Sequence, residues 1–352
     1  MNPVHIIGAG PAGSAAAIAA LQHDASVRLF EKSVFPRHKV CGEFLSPEIA
    51  PVLDRLGVWS AFAQAQPAPL KRVNLYFGAK RKHWKLTDPG FGLSRYALDD
   101  LLVRHALACG ATLLRECGVR ECGIRESGAP ESAKASLDDV PTIVAHGRQT
   151  PAPKGSRLFG FKAHFEGPID DCVDLFFFSG CYAGVSAVEN QTTNVCALAP
   201  ETLLQAHGFQ IDSLLERSLP LRERIAPLKR RMDWLITGPL VFRGNFHATP
   251  QQNVYCAGDA LGFVDPFTGS GILAALATGQ MAGIAAARCV PGGDYLEDCR
   301  QSLGVQYRTV AFLRKMIQNG IAERVAGFLP GRLLFELTRP RSVGVGFSLP
   351  RP

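Results

Sequence analysis

The spacing of apolar and polar positions changes several times along the chain, and the changes mark its parts. Val4-His5-Ile6-Ile7 and Ser26-Val27-Arg28-Leu29-Phe30 read as short strands, with an Ala-rich helical stretch, Ser14 to Leu21, between them. Over residues 48–65 the positions Ile49, Val52, Leu53 and Leu56 predict a short helix that Gly57 ends or bends. Residues 71–87 alternate, with Val73, Leu75, Phe77, Trp84 and Leu86, and predict a hairpin leaving the first domain. Leu98, Leu101, Leu102 and Ala106 recur at helical spacing, with Gly110 as the C-cap. Ala111–Leu114 and Thr142–Ala145 read as strands, separated by a Gly-, Pro-, Ser- and charge-rich loop over Arg125–Asp139. Leu158–Phe165, Cys172–Phe178, Tyr182–Val188 and Thr193–Leu198 follow at short, regular intervals and predict an antiparallel sheet. Residues 201–235 read as mostly helical, with Arg222, Arg224, Lys229, Arg230 and Arg231 forming a solvated face. A strand over Asn253–Ala260 runs into a loop, then an Ala/Gly-rich helix spans Ile272–Ala287. The remainder reads as helical, and no internal repeat is present.

Composition narrows the class. A chain of 352 residues, 47% hydrophobic, can fill two closely associated domains. The net charge is +7, and residues 300–352 alone hold nine Arg/Lys against two Glu, an excess of the same size. No aromatic-interleaved basic patch or reading helix accompanies it, which argues against a nucleic-acid partner. The ten cysteines contain no C-x-x-C pair and no zinc spacing with histidine, so they read as single thiols of a reducing, cytoplasmic compartment, with no metal site. The N-terminus is Ala-rich but lacks a basic leader, and no run of eighteen strongly apolar residues is present; neither a signal peptide nor a transmembrane span is expected.

The chemistry begins between the first two strands. Gly8-Ala9-Gly10-Pro11-Ala12-Gly13 sits where strand turns into helix, and the second strand ends at Glu31-Lys32. Strand, glycine turn, helix, strand and acid form the dinucleotide-binding fingerprint in its required context. Gly8 permits the tight turn, Gly10 lets the backbone approach a pyrophosphate, and Gly13 lets helix and sheet pack closely. The helix N-terminus favours the phosphate charge, and Glu31 can accept from ribose hydroxyls. Next comes Phe35-Pro36-Arg37-His38-Lys39-Val40-Cys41-Gly42-Glu43-Phe44-Leu45-Ser46-Pro47, an extended loop that must pass beside the bound nucleotide. A second block, Gly258-Asp259-Ala260-Leu261-Gly262-Phe263 through Thr268-Gly269-Ser270-Gly271-Ile272, ends in another glycine turn and helix start. Its N–H groups suit a negatively charged group of a ligand.

The fingerprint, that loop, the segment Ser94-Arg95-Tyr96-Ala97-Leu98-Asp99-Asp100 and the second block resemble, in this order, the geranylgeranyl reductase-like flavoproteins. Those belong to the para-hydroxybenzoate hydroxylase-type FAD superfamily, and the resemblance runs over about residues 4–290. It implies FAD, with Asp259 bonding the ribityl chain, Arg95 holding the phosphate and ribityl region, and Arg37 with Cys41-Gly42 near the flavin end. Gly269, Gly271 and Ile272 would lie against the ring. Cys41 has two readings, a packed small thiol or a residue beside the isoalloxazine that shapes access or tunes the flavin. The implied fold is a three-layer Rossmann-like α/β FAD-binding domain (1–70, 92–150 and 246–295) interleaved with an antiparallel β-sheet substrate domain (71–91 and 151–245). A helical C-terminal segment, 296–352, follows.

Three departures leave the substrate open. The Trp-x-Trp-x-Ile-Pro element of flavin-dependent halogenases is missing, and His146-Gly147 stands where aromatic hydroxylases carry Asp-Gly. Tyr182-Ala183-Gly184-Val185-Ser186 lacks the Trp of the archaeal lipid reductases' Tyr-x-Trp-x-Phe-Pro. The leading expectation is reduction of a C=C bond in an apolar isoprenoid or polyketide-like molecule, with NAD(P)H or a ferredoxin as electron donor. Monooxygenation of a secondary metabolite is the alternative, and a non-catalytic FAD-binding scaffold is the reading of another class. Finally, Phe312, Leu313, Met316, Ile317, Ile321, Val325, Phe328 and Leu329 form an apolar helical stripe. It reads either as a helix docked on the substrate domain or as a peripheral membrane contact that collects a lipophilic substrate.

Overall fold

A computed structural model of the chain describes residues 2–78, 80–115, 118–120, 123–125, 140–148, 157–240, 252–263 and 269–318, with 118–120, 123–125 and 311–318 described by backbone alone. In chain order the elements begin β1 (Pro3–Ile7), α1 (Pro11–Leu21), β2 (Ser26–Glu31), β3 (Phe44–Leu45), α2 (Ala50–Arg55) and α3 (Trp59–Gln64). Then come β4 (Ala68–Phe77), β5 (Lys80–Gly92), α4 (Arg95–Ala108), β6 (Thr112–Arg115), β7 (Gly118–Arg120), β8 (Gly123–Arg125) and β9 (Thr142–Val144). The chain continues through β10 (Leu158–Glu166), β11 (Cys172–Phe178), β12 (Cys181–Val188) and β13 (Thr192–Pro200). Three short helices follow, α5 (Glu201–Ala206), α6 (Ile211–Leu215) and α7 (Leu219–Ile225), then β14 (Lys229–Arg230) and β15 (Leu235–Leu240). The described part ends with β16 (Val254–Cys256), α8 (Gly271–Ala287) and α9 (Gly292–Gln318).

Two sheets carry the fold. The first is parallel, ordered β16-β9-β1-β2-β6. Its central strand, β1, is buried at Val4, Ile6 and Ile7, as expected for a strand covered on both faces. Helices α1, α4 and α8 share one apolar core with it, built from Ile18, Leu29, Leu98, Leu102, Ile143, Tyr255 and Leu276 among others. Helices α1 and α8 approach closely because the facing residues are small: a Cβ on Gly279 would stand 2.1 Å from the Ala12 carbonyl oxygen.

The second sheet is ordered β14-β10-β13-β12-β11-β4-β5-β3, with β15 also on β10. Its pairs are antiparallel except β4 and β11, which run parallel because the chain crosses the first sheet between them. Alternation along β10 divides its side chains. Phe161, Ala163 and Phe165 face a core closed by α5, α6 and α7, and Lys162 and His164 face the other way.

Residues 201–235 depart from the helical expectation. Gly208, with φ of +57°, lies between α5 and α6, α7 opens anew at Ser218 with Pro220 in its first turn, and Lys229–Arg230 and Leu235–Leu240 are strands. Of the basic residues there, Arg222, Lys229, Arg230 and Arg231 are exposed as expected, and Arg224 alone is half-buried. Arg224 Nε meets Asp174 Oδ2 at 2.8 Å, Arg230 pairs with Asp212 at 2.7 Å, and Arg231 with Glu166 at 3.3 Å. The loop over Arg125–Asp139 lies outside the described residues beyond Arg125. The side chains of the stripe over 312–329 also lie outside them. The described part of α9 is anchored through a buried set of Leu303, Tyr307 and Val310.

Candidate functional site

The glycine turn after β1 is shaped by contact. Gly8 has φ of +97°, its N–H donates to the Phe30 carbonyl at 2.7 Å, and a Cβ there would meet the Ala145 carbonyl oxygen at 2.6 Å. A Cβ on Gly13 would stand 1.7 Å from the Gly8 carbonyl oxygen, so the turn and the first helical turn exclude larger residues. Helix α1 opens at Gly10 with Pro11 and Ala12 in its first two positions, with no side-chain cap and no acid in its first turn. Its first N–H groups are therefore oriented toward an anion. Glu31 is buried, and its two oxygens accept from Ala9 N–H and Ser33 N–H, each at 2.8 Å. Each carboxylate oxygen retains acceptor capacity for a ribose hydroxyl. Lys32, beside it, is exposed at the end of β2.

The basic loop and helix α4 converge on Asp99, whose side chain is fully buried. Arg95 forks onto it with Nε–Oδ1 at 2.6 Å and Nη2–Oδ2 at 2.8 Å, and Arg37 Nη1 reaches Oδ2 at 3.3 Å. Arg37 Nη2 also lies 3.7 Å from Glu31 Oε2, and its guanidinium covers the Phe35 ring. Although burial works against the Arg95 charge, the paired Asp99 more than offsets it and holds the guanidinium firmly protonated. Lys39 keeps contact with solvent along the cleft, yet the protein around its ammonium and the charges of Arg37 and Arg95 bring it down to about 8.

Asp259 sits in a helical turn, Gly258–Ala260, facing this cluster. Loss of water raises its carboxyl above the ordinary value, against the pull of Arg148, Arg95 and Lys39. The loop around it is clamped from α8 and α9. Thr278 Oγ1 accepts from Gly258 N–H at 2.9 Å, Tyr295 OH donates to the Cys256 carbonyl at 2.7 Å, and Tyr307 OH to the Gly262 carbonyl at 2.8 Å. Gly269, with φ of +66°, lies where a Cβ would strike the Phe44 ring, while Gly271 begins α8 and Ile272 is buried behind it. Val264–Thr268 lie outside the described residues.

Among the described residues, nothing stands within 4 Å of a Cβ placed on Gly42 or Gly271, and only the Arg95 guanidinium, at 3.9 Å, approaches one on Gly10. Three glycines thus border open space around Arg95, whose charge is felt by both Cys41 and Asp259, and a cofactor laid across them would follow a path from α1 to α8. The residues fit FAD: a phosphate at Gly10, a ribose at Glu31, and a ribityl chain and ring toward Asp259 and Gly271. Cys41 is partly buried beside this path. Loss of water pushes its thiol above the ordinary value, with Glu43 adding to the shift and Arg95 opposing it, so it stands as a thiol at neutral pH.

The family description "tryptophan halogenase" matches residues 3–111. A menaquinone reductase of Mycobacterium tuberculosis is 32% identical over 114 residues, 32% of this chain and 28% of that protein's own length. A digeranylgeranylglycerophospholipid reductase of Methanosphaera stadtmanae is 25% identical over 329 residues, covering 82% of this chain and 79% of the relative. The solved structure of a flavin-dependent brominase shares the fold with a TM-score of 0.76 at 19% identity, over 95% of this chain and 93% of that one. These likenesses support a place among the FAD-dependent oxidoreductases. Among the described residues, no group of histidines, cysteines or acids could hold a metal, and no helix is long and apolar enough to cross a membrane.

Sequence reading missed part of the site. Glu43, Lys162, His164 and Asn194 meet behind the Cys41–Gly42 turn: His164 Nε2 lies 2.7 Å from Glu43 Oε2, Lys162 bonds Glu43 Oε1, and Asn194 Nδ2 donates to the Cys41 carbonyl at 3.0 Å. The signal was a Lys and a His at alternate positions of the otherwise apolar Leu158-Phe159-Gly160-Phe161-Lys162-Ala163-His164-Phe165.

Proposed function

We propose that the chain reduces carbon–carbon double bonds of an apolar isoprenoid or polyketide-like molecule, using bound FAD. The observation that carries this is an apolar set on the second sheet, on the same side as Lys162 and His164. Val73, Leu75, Leu158, Phe177, Tyr182, Leu198 and Leu240 are buried there, with Trp84, Leu86 and Phe263 packed against them. Phe263 belongs to the same loop as Asp259, the position that the family resemblance gives to the ribityl chain, and this supports an apolar substrate beside the flavin. FAD, once reduced by an external electron donor such as NAD(P)H or a ferredoxin, would supply a hydride from N5 to one alkene carbon while a proton goes to the other.

The chain's own residues do the rest. The α1 N-terminus and Arg95 bind and orient the cofactor, and Glu31 fixes its ribose. The aromatic set holds an alkene against the cleft and excludes water from it. The names of the menaquinone and digeranylgeranylglycerophospholipid reductases agree with a long apolar substrate.

Halogenation or hydroxylation is the reading that the family match raises, but that match covers only the N-terminal part of the chain, where the cofactor residues lie. The halogenase Trp-x-Trp-x-Ile-Pro element is missing from the sequence. Product analysis separates the readings. FAD-loaded protein supplied with a reductant and an unsaturated polyprenol should yield a saturated product without O2. Formation of oxygenated or halogenated products alone, and only with O2, would sink the reductase reading.

A further inference from the structure

Glu43 touches both halves of the molecule at once. It has no solvent exposure. One carboxylate oxygen accepts from the Arg95 backbone N–H at 2.7 Å and from the Lys162 ammonium; the other meets His164 Nε2 at 2.7 Å. The main chain is held as well, with the Glu43 N–H donating to Cys41 Sγ at 3.4 Å and its carbonyl accepting from Leu93 N–H at 3.2 Å. Its φ is +55°, in the left-handed region that a residue of this shape enters only where its surroundings enforce it.

The grip comes from the second sheet. Lys162 is fully buried, and its register partners on β13 put Cys196 opposite Lys162 and Asn194 opposite His164. Lys162, His164 and Asn194 therefore all hold the segment Cys41–Glu43, which borders the cofactor path at Gly42. Stability is a poor reason for such an arrangement, since a buried ion pair is often matched or exceeded by apolar residues of the same volume. What the pair does provide is a fixed direction, locking the loop that faces the cofactor to the sheet that faces the substrate.

We propose that Glu43 is the positioning residue of the flavin cradle, setting Arg95 and the Cys41–Gly42 turn through its contacts to Lys162 and His164. This rests on the reading that the chain binds FAD. Glu43→Gln alone leaves the Lys162 ammonium buried without its counter-ion and is expected to fold poorly. The informative protein is the double variant Glu43→Gln/Lys162→Met, which removes both charges at nearly constant volume. Wild type and double variant are loaded with FAD and compared by dissociation constant, visible band shape and reduction potential.

The expected result is FAD binding weakened about tenfold, with a shifted potential and an altered flavin band, the size of effect that a misplaced charge-assisted contact produces. Should the double variant fail to fold, Asn194→Ala removes a single grip on Cys41 and is expected to move band shape and potential in the same direction. Unchanged affinity, band shape and potential in a folded variant, with only stability altered, would overturn the proposal. Wild-type protein that takes up no FAD would instead overturn the cofactor reading on which it rests.

Discussion

Glu31 accepts a hydrogen bond from Ala9 N–H at 2.8 Å, which fastens the acid at the end of β2 to the glycine turn at the end of β1. The same carboxylate bonds Ser33 N–H, so one side chain fixes the turn and the start of the basic loop.

Removing it therefore has two effects. Glu31→Ala should weaken FAD binding by about 1.5–3 kcal/mol, the range for a charged acceptor, or roughly tenfold to a hundredfold. It should also lower the melting temperature of the cofactor-free protein, because Ala9 N–H loses its buried acceptor. Titration of FAD fluorescence and a thermal melt without FAD check both. An unchanged dissociation constant would show that Glu31 holds the turn and no ribose.

Gly13 has no room to grow. Gly13→Ala places a Cβ against the Gly8 carbonyl oxygen, and the overpacking should cost about 1–3 kcal/mol in urea unfolding. FAD content should fall with it, as the reading of this backbone as a phosphate cradle requires. Full stability with full FAD content would mean that the turn has a second, looser arrangement.

Cys41 should be slow to react. Loss of water raises its thiol above the ordinary value, so little thiolate exists at neutral pH, and the Arg95 charge does not reverse this. In site-resolved mass spectrometry after iodoacetamide treatment at neutral pH, Cys41 should label more slowly than the exposed Cys109 and Cys289. Faster labelling at Cys41 would make it an activated thiol and contradict the packing described above.

Acid should loosen the junction of the two sheets. Burial pushes the Glu43 carboxyl up, but the hydrogen bond from His164 and the Lys162 charge outweigh this and hold it below its ordinary value of 4.5. The unfolded chain then binds more protons at this site than the folded one. Its contribution is complete above the unfolded value and lost as pH falls through the folded one. Urea midpoints measured from about pH 6 down to about pH 3 should fall less steeply for Glu43→Gln/Lys162→Met than for wild type. Equal slopes would show that other carboxylates govern acid unfolding.

Much of this site can be read directly from the sequence because it is local. Gly8 to Gly13 and Glu31 belong to one strand–turn–helix–strand unit, so spacing alone brings them together. The strands from Leu158 to Pro200 were legible for the same reason, each carrying its own alternation. The Glu43 cluster was not, because it depends on the meeting of a loop with β10, 119 positions later in the chain. A lysine and a histidine inside an apolar strand were visible as an anomaly, but their partner was not. The same limit hid the inward turn of Arg224, whose charge suggested solvent until the fold placed Asp174 beside it. It also hid the parallel pairing of β4 with β11, which arises from a crossover through the other sheet.

Anaerobic single turnover tests the central claim most directly. The FAD-loaded protein is photoreduced without O2 and mixed with an unsaturated polyprenol while the flavin absorbance is followed. The account predicts that the oxidised flavin band returns without O2 and that the product gains two hydrogens for each flavin reoxidised. A flavin that stays reduced with every alkene offered, yet reoxidises on admission of O2 with an oxygenated or halogenated product, would contradict it.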